Sequence, residues 1–229
     1  MSLETVGIAG SLAFLCFILA WLTVRNIVRA VGDRSRHQLM FGLGLACATA
    51  AMLIEFAAYL GYVAVVLLQA YVFLTAAIVG VLSLGSAKSF RSGRFEPAYA
   101  AYTVGIGAVI AWFSFTTPLS LGMVQNGIVV GNPPLLLIVL SSLMTVPATV
   151  VLLTAAVVHL RRSFRPKGLL MITGACVLGA GGAFYIAAFP VVLYYAEFVG
   201  IIMLFLGLTD LSKLSLSRPA SAPAERPSA

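Results

Sequence analysis

Two carboxylates lie deep inside apolar stretches of the sequence, where an ionised group is expensive to keep. Of the seven acidic residues, only Glu55 and Glu197 fall within long hydrophobic runs. If these runs span a bilayer, each carboxyl group is a candidate for function, because hydrocarbon does not solvate it. Such a group can carry a proton, bind a polar solute, or join two helices through a hydrogen bond.

Four further polar or amphipathic residues fall at the same depth as the two carboxylates. Glu55 lies six residues before Gly61, where one run ends, and Glu197 lies seven residues after Pro190, where another begins. At 1.5 Å per residue, both carboxylates are expected ~10 Å below the same membrane surface. The predicted layer is completed by Tyr59, Gln69, Trp112 and Tyr194.

The layer has two interpretations. In the functional one, the six residues form an outward-facing site for a solute or a proton, and helix breaks at Pro147, Gly181 and Gly182 act as hinges. In the structural one, Glu55 and Glu197 each hydrogen-bond a neighbouring helix, and the aromatic residues form an interfacial belt.

The composition requires the elements that carry these residues to be membrane helices. Hydrophobic residues make up 61% of the 229 residues, and charged residues make up only 9%. A soluble domain has ~25% charged residues, and a soluble chain of this composition would expose large apolar patches. A transmembrane helix needs ~20 apolar residues, so the hydrophobic residues suffice for about seven helices.

Hydropathy predicts an all-α polytopic membrane protein, with seven transmembrane helices in residues 1–213. The seven spans are expected at residues 5–25, 39–60, 63–86, 97–117, 134–160, 169–188 and 191–211. The tail 214–229 is rich in Ser, Pro and Ala, so we expect it to be disordered. The uncharged stretch 118–133 is predicted either as an ordinary loop or as a lid or short re-entrant segment.

All 14 Lys and Arg residues fall on one side of the predicted bundle. They follow spans one, three, five and seven, whereas the connections after spans two, four and six contain none. The positive-inside rule then places the N-terminus outside and the C-terminus in the cytoplasm of a cell membrane. The net charge of +7 is accordingly assigned to anionic lipid headgroups at the cytoplasmic face, not to nucleic acid.

Spans one to three resemble spans five to seven. Residues 65–70 (VVLLQA) open span three as residues 191–196 (VVLYYA) open span seven, and Ala46-Cys47 corresponds to Ala175-Cys176. With one linking span between the triplets, the pattern predicts a 3+1+3 parallel repeat. This layout is similar to that of SWEET-type sugar transporters and of microbial rhodopsins, and a shared layout alone does not assign a function.

The sequence lacks the residue patterns of several membrane chemistries. The last predicted span contains no Lys for a retinal Schiff base, and the three Cys residues form no paired motif. No HExxH, His cluster or GxSxG motif is present. We therefore expect a protein that is not an enzyme and that holds no cofactor or metal.

Two classes of function fit these features. The first is a transporter for a small solute, coupled to protons through the carboxylate layer. The second is a receptor-like, accessory or structural membrane subunit that acts through a membrane or cytoplasmic partner protein. The predicted cytoplasmic loops and tail are too short to form an output domain, which favours the transporter.

Overall fold

The computed structural model describes residues 3–32, 36–87, 90, 94–121, 124–125, 128–129, 133–163, 169–170, 172–174, 176–177, 198–203 and 206. In these ranges, five long helices follow one another: α1 (Leu3–Gly32), α2 (Arg36–Tyr59), α3 (Val65–Ala87), α4 (Phe95–Thr116) and α5 (Leu135–Ser163). Each contains 21 to 24 residues in a stretch apolar enough to cross a bilayer. This is the architecture of a multi-pass helical membrane protein.

The helices coincide with the first five predicted spans. The bounds of α2 to α5 agree with the predicted spans to within three residues at each end. The predicted spans 169–188 and 191–211 lie largely outside the described residues, and the tail 214–229 lies wholly outside them. The described residues between 169 and 177 and between 198 and 206 are helical.

The first helix is longer than predicted, because it continues through Arg25 to Gly32 instead of ending at residue 25. Its last turns pack on the start of α2, where the Asn26 side chain donates to the Gln38 carbonyl at 2.9 Å. The Arg25 guanidinium lies 5.1 Å from the centre of the Trp21 ring, so its stem runs along the helix surface. An arginine near a membrane interface therefore does not end a helix.

A tight turn joins α2 to α3, as the sequence predicts. The Tyr62 N–H donates to the Ala57 carbonyl at 2.9 Å, and the Gly61 N–H donates to the Ala58 carbonyl at 3.0 Å. These two bonds form a Schellman motif, in which the residue after the helix adopts a left-handed conformation. Gly61 occupies that position with φ of 91°.

Glycines allow α2 and α3 to pack at close range. A Cβ atom on Gly44 would lie 2.7 Å from Leu82 Cδ2, and one on Gly85 would lie 2.8 Å from Phe41 Cζ. Larger residues at either position would push the two backbones apart. Because α3 also contacts α4 and α5, it is the central helix of the described bundle.

The largest buried cluster, which we call the core cluster, joins several parts of the chain. It is built mainly by α1, α2 and α3, and it includes Leu119, Leu137 of α5 and Ile201. Partly buried residues near the C-terminus, including Ile172 and Phe198, also pack against it. The region predicted to form spans six and seven therefore contributes to the same interior as the first three helices.

The stretch 118–133 contains regular structure. Strands β1 (Val124–Gln125) and β2 (Ile128–Val129) pair in an antiparallel ladder, and β2 contacts α2. The ladder lies at the end of the bundle that holds the α2–α3 turn, the last turn of α4 and the first turn of α5. We call this the Gly61 end. In its described part, this stretch therefore contacts the helices through β2.

The α2–α3 turn yields a stability prediction. Gly61→Ala should lower the free energy of unfolding by about 1 kcal/mol, because a residue with a Cβ is strained in the left-handed region. Space is not the cause, since a Cβ at Gly61 would meet no atom within 4 Å. Denaturation of the purified protein in detergent measures the change.

Gly105→Ala is the matched control. This glycine lies inside α4, and a Cβ there also meets no atom within 4 Å. Alanine favours the helix over glycine by up to about 1 kcal/mol, so this variant should be neutral or stabilised. Equal losses in the two variants would contradict the role of the left-handed turn.

Candidate functional site

Glu55 lies on the interior face of α2. Its side chain is 2% exposed, so it points neither to lipid nor to the surface. Ala51 and Met52, one turn earlier on the same face, belong to the core cluster. A carboxyl group is therefore held inside an apolar interior, where the ionised form is much less stable than in water.

Several described side chains with titratable groups lie near Glu55 or in and against the core cluster, Cys47 of α2 among them. The Cys16 thiol on α1 is buried and lies within electrostatic range of the Glu55 carboxyl group. Tyr71 on α3 is buried in the core cluster, and Tyr59 on α2 packs against the cluster. The structure thus places Tyr59, a predicted site residue, beside the same interior as Glu55.

Cys16 and Tyr71 were not among the predicted site residues. Cys16 lies in the middle of an apolar run, where a cysteine is usually a small buried hydrophobe. Tyr71 lies only two residues from Gln69, but the sequence does not show which face of α3 it occupies. The contacts between α1, α2 and α3 supply that information.

Gln69 joins α3 to the end of α4. Its side-chain Nε2 donates to the carbonyl of Phe115 at 3.3 Å and to the carbonyl of Thr117 at 3.2 Å. The last carbonyls of a helix have no donor within the helix, so Gln69 supplies one to this helix end. The amide N–H groups of Gln69, a predicted site residue, thus serve the backbone at the Gly61 end.

Trp112 does not join the buried layer, and we remove it from the candidate site. Its side chain is 69% exposed on the outer face of α4. The prediction used only depth, and a depth does not specify the direction of a side chain around the helix. On α4 the buried direction belongs to Ile110 and Ser114. An exposed Trp near the helix end matches the interfacial belt of the structural interpretation.

Ser114 is a buried polar residue that sequence reasoning missed. It is 0% exposed, and its Oγ has no hydrogen-bond partner among the described residues. The spacing of Thr103, Ile110 and Ser114 could have indicated its burial, because these residues share one face of α4. A buried hydroxyl of this kind can bind a water molecule or a polar group of a solute.

The remaining predicted residues lie outside the described part of the chain: Tyr194, Glu197, Gly181 and Gly182. On the predicted seventh span, Glu197 comes four residues before Ile201, and Ile201 is buried in the core cluster.

At Pro147, the first predicted hinge, a neighbouring helix supplies the hydrogen bond that α5 lacks. Proline has no N–H, so the carbonyl of Leu143, four residues earlier, loses its donor within α5. The Tyr102 hydroxyl of α4 donates to that carbonyl instead. Beside this contact, α5 carries an apolar surface groove of about 380 Å³ lined by Ile138, Val139, Ser142, Leu143, Val146 and Pro147.

An aromatic stack orients Tyr102 toward α5. The rings of Phe95 and Tyr99 are stacked with centroids 5.6 Å apart, and those of Tyr99 and Tyr102 lie 6.4 Å apart. The Tyr99 hydroxyl in turn lies 2.7 Å from the Ser83 Oγ of α3. The break in α5 is therefore connected through α4 to the central helix.

The described residues offer no candidate metal centre. No group of three or more His, Cys, Asp or Glu side chains comes together within the ranges given above. The buried polar groups found there are a carboxyl, a thiol, hydroxyls and the amides of Asn26 and Gln69. Such groups suit proton exchange and hydrogen bonding to a small polar solute.

The bridge at Pro147 yields a second prediction. Tyr102→Phe should lower the free energy of unfolding by about 1 kcal/mol, because it leaves the Leu143 carbonyl without a donor in an apolar setting. In a Pro147→Ala background, the new N–H at position 147 serves that carbonyl. The same Tyr102→Phe change should then cost less than about 0.5 kcal/mol.

A double-mutant cycle in detergent or bicelles measures the coupling between the two positions. Ser142→Ala is the control, since the Ser142 hydroxyl donates within α5 to the Ile138 carbonyl. An equal cost of Tyr102→Phe in both backgrounds would contradict the bridge.

Comparison with known proteins returns no relative of this chain. No family model matches it, and neither the curated proteins nor the solved structures contain a significant match. Its function is accordingly inferred from the chemistry of its buried residues.

Proposed function

We propose that the chain is a transporter for a small solute, coupled to protons through Glu55. The observation that carries the proposal is the burial of this carboxyl group on the face of α2 whose Ala51 and Met52 belong to the core cluster. A membrane protein gains no stability from an unneeded buried carboxyl group, whereas a proton carrier requires a group that can be sealed from water.

Glu55 is the carboxyl group among the titratable side chains described in and against the core cluster. The others there are Cys16, Cys47, Tyr59 and Tyr71. In water a carboxyl group is a stronger acid than a thiol or a phenol, so it is the group that can give up a proton when water or a polar solute reaches it.

The wider topology belongs to the same proposal. Residues 1–213 form seven spans in the cell membrane, with the N-terminus outside, the C-terminus in the cytoplasm and the triplets arranged as a 3+1+3 repeat. Arg25 and Arg29 in the last turns of α1 then face the anionic headgroups of the cytoplasmic leaflet. Glu197 is proposed as a second carboxylate of the site, and no catalytic step or cofactor is involved.

A receptor-like or accessory subunit is the second candidate. The observation that favours it is the apolar groove beside Pro147, which would accept a helix of a membrane partner. Such a subunit would carry no solute, so measurement of flux separates the two functions.

The proposed orientation makes the third prediction. A protease-cleavable tag at the C-terminus should be protected in intact cells and cleaved in inside-out vesicles, because the basic connections remain in the cytoplasm. A tag at the N-terminus is the control and should behave in the opposite way. Cleavage of the C-terminal tag in intact cells would overturn the orientation.

The fourth prediction tests proton coupling in proteoliposomes loaded with a panel of small metabolites. Flux through the wild-type protein should increase with an imposed pH gradient. Glu55→Gln keeps the shape and most of the hydrogen bonding of the neutral acid but cannot titrate, so the dependence on pH should be abolished. Glu96→Gln, at an exposed position in the first turn of α4, should retain it.

The outcomes separate the two functions. If flux through Glu55→Gln still depends on pH as wild-type flux does, the proposed role of this residue is refuted. Absence of wild-type flux for every metabolite would contradict transport and favour the accessory subunit.

A further inference from the structure

The residue Leu119 is buried although it lies in the connection after α4. Its side chain is 6% exposed, whereas Pro118, Ser120 and Leu121 around it are exposed. Connections normally run over the surface, and a single inward-pointing leucine between exposed neighbours is an insertion into the bundle. Leu119 belongs to the core cluster, which also contains Cys16 and Met52.

The end of α4 directs this leucine inward. The helix ends at Thr116 because Pro118 follows, which forces Thr117 into an extended conformation with ψ of 128°. Gln69 then binds the carbonyl of Thr117, two residues before Leu119. The amide of Gln69 therefore fixes the backbone from which Leu119 enters the core.

Leu119 enters the core cluster from the Gly61 end, three residues after α4 ends, whereas Glu55 lies six residues before Gly61 on α2. Cys16, within electrostatic range of Glu55, and Met52, one turn before it, belong to the same cluster as Leu119. The connection that carries Leu119 continues into the ladder of β1 and β2, and β2 lies against α2.

We propose that Leu119 is a plug that separates Glu55 from water at the Gly61 end, and that Gln69 is the latch that holds the plug in place. The inference rests on the proposed function in one respect, namely that Glu55 is the group to be sealed. Withdrawal of the plug would admit water or solute to the carboxyl group, and its return would seal the group again. The closure itself is a property of the fold and is measurable without any flux.

Cys16 is a native reporter for this closure. The protein, with Cys47 and Cys176 replaced by Ser, is placed in nanodiscs, where both faces are open to the reagent. A charged methanethiosulfonate reagent, which enters only through water, should label Cys16 slowly in this background. Leu119→Ala should increase the labelling rate about tenfold or more, on the scale of leucine-to-alanine losses at buried sites. Gln69→Leu should also increase it, because the latch loses its donor.

Two controls separate the plug from general loosening. Leu121→Ala changes an exposed residue in the same connection and should leave the rate unchanged. Leu137→Ala removes an equally large, fully buried side chain from the same cluster, but on α5. It should increase the rate much less than Leu119→Ala, while complete labelling in denaturant shows that the thiol is intact.

Two results would overturn the proposal. One is an unchanged rate in Leu119→Ala. The other is an equal increase in Leu119→Ala and Leu137→Ala, which would mean that any cavity in the cluster exposes the thiol. Because labelling requires no transported solute, failure of the flux experiment would leave this test intact, and failure of this test would leave proton coupling through Glu55 to be judged by flux.

Discussion

The burial of a carboxyl group in an apolar bundle is the constraint on which the account of this protein depends. Glu55 is 2% exposed, on the face of α2 whose Ala51 and Met52 belong to the core cluster, and it lies within electrostatic range of Cys16 on α1. Hydrocarbon solvates an ionised carboxylate far less well than water does, so the balance between the charged and neutral forms of such a group depends on whether water reaches it. Any event that hydrates the site changes that balance, and this is the physical basis for coupling a proton to a movement or to a solute.

Polar side chains elsewhere in the bundle serve the backbone where helices end or break. Gln69 binds carbonyls at the end of α4, and Tyr102 binds the Leu143 carbonyl that Pro147 leaves without a donor. Inside a membrane these carbonyls have no water to satisfy them, so a neighbouring helix must do so. The two contacts therefore mark the places where the backbone of one helix depends on another.

The sequence predicted the positions of the described helices because an apolar run of the right length leaves a chain few alternatives in a bilayer. A count of residues also predicts a common depth for Glu55 and Gln69. It failed for Trp112 because a count does not give the rotation of the helix. The bond from Tyr102 to Leu143 spans 41 residues of sequence, and only the packing of α4 against α5 shows it.

Infrared spectroscopy of the protein in bilayers tests the central claim most directly, because a protonated carboxyl group has a C=O stretching band that a carboxylate lacks. The wild-type protein should show this band at neutral pH for a group shielded from deuterium exchange, and Glu55→Gln should remove the component that belongs to Glu55, leaving any component from Glu197. Absence of the band from the wild-type spectrum, or an unchanged band in Glu55→Gln, would contradict a neutral, sealed Glu55 at the centre of the bundle.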